Sequence, residues 1–89
     1  MGWTIRIDER ALRALKKLDQ PIQREITNYL RQRIAKADNP RSFGKALRED
    51  KSGLWRYRVR DYRIICKIKD RDLVVLVVGV GHRSTIYDE

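Results

Sequence analysis

The stretch Gly81-His82-Arg83-Ser84-Thr85-Ile86-Tyr87-Asp88 sets the only histidine of the chain beside an arginine and a tyrosine four residues beyond that arginine. These are groups that bind phosphate and move protons. A second cluster, Arg56, Arg58 and Arg60, recurs at period two, which on a strand would place three guanidiniums on one face. Arg63 follows in the next apolar stretch. Together they describe a small basic protein that grips an RNA backbone and cuts it.

RNA cleavage by an internal 2′-hydroxyl needs alignment of the nucleophile, stabilisation of charge on the phosphorane-like transition state, and proton transfers at both ends. Arginine suits the second need, because its planar fork stays charged and can hold two phosphate oxygens at once. Arg63 and Arg83 are the candidates for that clamp, and Arg56, Arg58 and Arg60 for gripping the backbone. Arginine is almost never a free base, so proton transfer has to come from elsewhere. His82 is the candidate acid or base, since an unperturbed imidazole titrates near 6.5; packing against the core is its competing role. If the tail stays extended, His82 and Arg83 point to opposite faces. Tyr87 can stack on a base or hydrogen-bond the reacting phosphate.

The elements that must position these groups are legible in the spacing of apolar residues. Trp3-Thr4-Ile5-Arg6-Ile7 alternates like a half-buried strand, and Asp8 can cap the helix that follows. Ala11, Leu12, Leu15 and Leu18 mark that helix. Pro21 suits the first turn of a second, whose stripe is Ile22, Ile26, Tyr29, Leu30 and Ile34. Asp38-Asn39-Pro40 stops it, and residues 41–52 read as a loop. From Leu54 the period is two: Trp55, Tyr57 and Val59 face the helices while the arginines face out. Tyr62 to Lys69 and the apolar run Leu73 to Val78 supply two more strands, joined at Asp70-Arg71-Asp72. The expected architecture is α+β: an N-terminal strand, a helical hairpin, then a three-stranded antiparallel meander, all in one sheet with the helices on one face.

Whole-chain numbers bound the function. Eighty-nine residues make one domain, spanning residues 1–89. Twenty-one Lys and Arg against 12 Asp and Glu give a net charge of +9, which favours polyanionic partners. No apolar run approaches the roughly 20 residues that span a bilayer, and the N-terminus lacks the apolar core of a secretion signal. One cysteine cannot form an internal disulfide, so a reducing cytoplasmic setting is expected, with Cys66 an inert core thiol. One histidine and one cysteine leave no set with zinc-ligand spacing, and no metal or organic cofactor is expected.

The chain resembles the RelE/ParE superfamily of bacterial toxins, and its RelE branch more closely. The resemblance is carried by Asp8-Glu9-Arg10-Ala11, by Asn39-Pro40-Arg41 followed by Gly44-Lys45-Ala46-Leu47, by Trp55 to Ile64, and by Val80-Gly81-His82-Arg83 with Tyr87. It implies a toxin that enters the decoding site of the ribosome and cleaves the exposed messenger RNA by attack of a ribose 2′-hydroxyl on the adjacent phosphate. It also implies neutralisation by a cognate antitoxin. Its basic catalytic strand falls on Arg56 and Arg58, its next-strand arginine on Arg63, and its C-terminal arginine and tyrosine on Arg83 and Tyr87. The best-known members carry lysines on the basic strand where this chain has arginines. Two other readings stand beside it: a ParE-like inhibitor of DNA gyrase without nuclease chemistry, and a non-catalytic RNA-binding module.

Overall fold

The computed structural model describes residues 2–47 and 53–82. Arg83 and Tyr87 of the expected site lie outside the described residues. Strand β1 (Thr4–Ile7) leads into helix α1 (Glu9–Lys16) and helix α2 (Gln20–Asn28), and α2 runs on into a π-helical segment, Tyr29–Ile34. A short 3₁₀ turn, Pro40–Ser42, precedes β2 (Lys45–Ala46), β3 (Leu54–Val59), β4 (Tyr62–Lys69) and β5 (Val74–His82). The strands form one sheet in the order β1-β5-β4-β3-β2, with β1 parallel to β5 and the other pairs antiparallel.

Local chemistry explains where the elements start. Asp8 caps α1 by accepting a hydrogen bond from the Ala11 amide at 2.8 Å, and Pro21 sits in the first turn of α2. At the far end of the hairpin the helix widens: the Ala35 amide donates to the Leu30 carbonyl, five residues back, at 2.8 Å. The Ala35 carbonyl then accepts from the Trp3 amide at 2.8 Å, tying the helix end to the start of the sheet. The sequence pattern showed one continuous second helix, because a π turn keeps the apolar stripe facing inward and leaves no mark in the spacing.

One face of the sheet packs on the hairpin. Ala11, Leu15, Ile26, Leu30 and Ile34 from the helices bury against Tyr57, Ile64, Cys66, Val75 and Val77 from the strands. The expectation of a plain loop over residues 41–52 is corrected by β2, which pairs Lys45 with Arg56 and Ala46 with Trp55. Two residues are too short for period-two alternation to register, so only β3 beside it reveals the strand.

The approach to β2 is anchored from below. The fully buried Tyr57 donates its hydroxyl to the Pro40 carbonyl at 2.7 Å, and burial raises the pKa of that phenol above its ordinary value. Tyr57→Phe leaves the Pro40 carbonyl without this donor, and the expected loss is about 1–2 kcal/mol of stability. Urea unfolding should show a lower midpoint at unchanged slope; an unchanged midpoint would mean the bond contributes nothing.

Candidate nucleic-acid interface

Register decides which side chains meet. Directly opposed residues on paired strands share a face, and the pairs Lys45–Arg56 and Arg58–Arg63 lie on the side that the helices leave uncovered. Gly44, Lys45, Arg56, Arg58 and Arg63 together line a recess of about 240 Å³. Arg63 is the most enclosed of them, only 8% exposed, although it sits on the uncovered face. Arg58 bends towards the β3–β4 turn, where its Nε donates to the Arg60 carbonyl at 2.8 Å and its guanidinium stands 3.7 Å from Asp61.

Four cations thus come together in two opposed pairs across β2, β3 and β4. Arginine forks supply the donors that phosphate oxygens match. On the other side of β4, Gly81 and Gly79 of β5 stand opposite Arg63 and Ile65.

Two sequence expectations are corrected by the backbone. Arg60 does not continue the arginine row: β3 ends at Val59, and Arg60 occupies the hairpin turn with φ +55°. Its side chain turns to the helical side, where Nε donates to Glu25 of α2 at 2.7 Å. A two-residue hairpin needs a left-handed residue, and that residue leaves the alternation of the strand. His82 is opposed to Tyr62, the neighbour of Arg63, so it lies on the helix-facing side, away from the recess. There it packs edge-on against the Tyr62 ring at 5.3 Å between centroids. Proton transfer in the recess is therefore not assigned to His82.

Lys45 is the cation that sequence reasoning passed over. Its position depends on Gly44, which adopts φ +74° and passes so close to β3 that a Cβ would collide with the Arg56 carbonyl, the Tyr57 ring and Trp55 Nε1. Trp55 Nε1 also donates to the Phe43 carbonyl at 2.6 Å, fixing the residue before this glycine. A glycine next to a lysine, ahead of an alternating basic strand, was the available signal. Lower down, Arg41 and Asp70 form a two-pronged ion pair at 2.9 and 3.0 Å, fastening the same segment to the β4–β5 turn.

Elsewhere the chemistry is quiet. Burial raises the Cys66 thiol well above its ordinary pKa, as expected of a core cysteine. Among the described residues no group of His, Cys, Asp and Glu could hold a metal ion, and no helix is long and apolar enough to cross a membrane.

Comparison with known proteins places this geometry. The family described as ParE toxin of type II toxin-antitoxin system, parDE, matches residues 5–87. Toxin RelG of Mycobacterium tuberculosis is 30% identical over 87 residues, covering 98% of each chain. The mRNA interferase toxin RelE of Escherichia coli is 28% identical over 93 aligned positions, covering all of this chain and 94% of that one. Among solved structures, the toxin-antitoxin complex RelBE2 from Mycobacterium tuberculosis superposes with a TM-score of 0.84 at 27% identity, covering 94% of each chain. The archaeal RelE-RelB complex from Pyrococcus horikoshii shares the fold, with a TM-score of 0.75 at 24% identity over 97% of this chain and all of that one.

Gly44→Ala should cost about 2 kcal/mol or more, because it combines left-handed strain with backbone collision, and it should displace Lys45 from the recess. A thermal midpoint equal to wild type would refute that account. The Arg41–Asp70 pair has a pH signature. Hydrogen bonding to Arg41 holds the Asp70 carboxyl below the usual carboxylate range. A depressed folded pKa contributes stability that is present above the unfolded value of roughly 3.9 and is lost as pH falls through the folded one. Asp70→Asn should therefore lower stability at neutral pH and flatten the acid side of the stability–pH curve, as followed by urea titration at stepped pH.

Proposed function

The chain belongs to the family of ParE toxins of type II toxin-antitoxin systems, on its RelE-like side, and from that premise we propose that it is an endoribonuclease that cleaves messenger RNA on the ribosome. The observation that carries the reading is the recess in which Lys45, Arg56, Arg58 and Arg63 converge on the uncovered face. Such a recess matches the dianionic phosphorane of phosphodiester cleavage better than any neutral ligand. The 2′-oxygen attacks phosphorus as its proton leaves, the bond to the 5′-oxygen breaks, and that oxygen takes up a proton. The products are a cyclic phosphate and a 5′-hydroxyl end.

In this reading the enclosed Arg63 clamps the non-bridging oxygens, because a charge held in place before reaction needs no reorganisation as the transition state forms. Arg58 catalyses beside it once its guanidinium exchanges the turn carbonyl for phosphate. Arg56 and Lys45 grip the flanking backbone. Arg83 and Tyr87, supplied by the resemblance, complete the proposed set: Arg83 as a second clamp, Tyr87 stacking on a base or hydrogen-bonding the phosphate. No metal or organic cofactor enters this scheme. The natural inhibitor is an antitoxin whose acidic residues cover the arginine face, since charge complementarity there would exclude RNA.

The ParE description of the matching family favours one second reading, a gyrase inhibitor without nuclease chemistry. Primer extension on programmed ribosomes separates the two. Wild type should cut the messenger in the decoding site, and Arg63→Ala should cut roughly a hundredfold more slowly, about 3 kcal/mol of lost transition-state stabilisation. A folded wild type that leaves the messenger intact but blocks DNA supercoiling would overturn the nuclease in favour of the gyrase reading.

A further inference from the structure

The recess is one end of a longer feature. None of the five strands contains an aspartate or glutamate, and every lysine and arginine in them stands on the uncovered face. Beyond the recess, the same face carries Lys67 and Lys69 of β4 and Arg6 of β1. The register arranges these groups in rows. Arg58 and Arg63 form the first and Lys45 and Arg56 the second; Lys67 and Arg6 flank Leu76 in the third, and Lys69 beside Val74 ends the series.

At the far end a second recess of about 400 Å³ is lined by Arg6, Lys69, Asp72, Val74 and Leu76. Arg6, Lys67 and Lys69 are exposed and join no ion pair among the described residues. Asp72 is the one carboxylate at this recess, set on the β4–β5 turn and not on a strand. Successive rows are two residues apart, roughly 6.6 Å, so the first and last are about 20 Å apart along β4. A single nucleotide cannot span that distance.

We propose that this end of the sheet is a second phosphate-binding site, and that a single-stranded RNA lying in the arginine recess continues diagonally across the uncovered face to reach it. Arg6, Lys67 and Lys69 take successive backbone phosphates, and Leu76 and Val74 offer apolar ground for a base between them. Charge complementarity selects the ligand: a run of strand cations with apolar patches between them fits an unpaired polynucleotide, whose phosphates and base faces alternate. The inference rests on the nuclease reading only in taking the recess as the place where the messenger lies.

The test uses 2′-O-methyl RNA, which internal 2′-oxygen attack cannot cut, in lengths of about 4 and about 12 nucleotides, within the range that single-strand platforms occupy. Affinity for wild type and for the double variant Arg6→Gln/Lys69→Gln is measured at several salt concentrations. Wild type should bind the longer oligonucleotide more tightly and with a steeper salt dependence. The variant should lose that gain, its salt slope on the longer oligonucleotide shallower by about 1.4, for two phosphates at roughly −0.7 each. Its affinity for the short oligonucleotide should stay within about twofold of wild type.

Three outcomes would overturn the track. Wild type could gain nothing from length; the variant could weaken both lengths alike, indicating a diffuse field; or the loss could appear only on an RNA duplex of equal charge, indicating a ribosomal helix. The nuclease reading stands or falls separately. Length-dependent binding through Arg6 and Lys69, in a protein that leaves ribosomal messenger uncut, would keep the track and remove the nuclease.

Discussion

The structure depends on one separation: a single sheet with the helical hairpin packed on one face, so that strand side chains alternate between that apolar side and the side that carries the cations. The helical hairpin covers the apolar side with Ala11, Leu15, Ile26, Leu30 and Ile34, and the strands meet it with Tyr57, Ile64, Cys66, Val75 and Val77. A guanidinium placed there would lose its hydration without compensation, so every strand cation is confined to the other face. The hydrophobic effect that folds the chain thus also concentrates its positive charge. Binding surface and core are two consequences of one periodicity.

That arrangement works against local stability. Lys45 opposite Arg56 and Arg58 opposite Arg63 are like-charge pairs of the kind that weaken a sheet. The chain carries them because the core beneath is closed and because surrounding contacts hold the strands in register. Tyr57 anchors to Pro40, Trp55 to Phe43, and Arg41 to Asp70, all on the segment that brings Lys45 to β3. Cations gathered and held in place by the fold need little rearrangement to meet an anion.

How much of this could be read without coordinates differs by residue. The cap at Asp8, the helix start at Pro21, the apolar stripe from Ile22 to Ile34 and the inward Trp55, Tyr57 and Val59 were legible, because each follows from local dihedral preference or from periodicity. The outward direction of Arg56, Arg58 and Arg63 was legible for the same reason. Lys45 was not. Its place depends on a close approach of Gly44 to β3, which no periodic pattern records. Arg60 and His82 are not where the site needed them. Arg60 falls in the turn that ends the alternation, and a register shift in β5, opposite Ile65 and Cys66, carries His82 to the Tyr62 side, which strict alternation from Val75 and Val77 would not do.

The sequence by itself determined the main elements, the face that the residues of β3 and β4 take, and the positive charge that favours an anionic partner. Those properties are local or additive, set by side-chain type and by periods of 2 and 3.6. Only the tertiary structure decided which strands are neighbours, that β1 runs parallel beside β5, and that β2 completes the sheet next to Arg56. It also decided that cations distant in sequence, from Arg6 to Arg63, share one surface. Pairing depends on burial summed over the whole core, and the energy of a strand edge says little about its partner until the helices have covered one face.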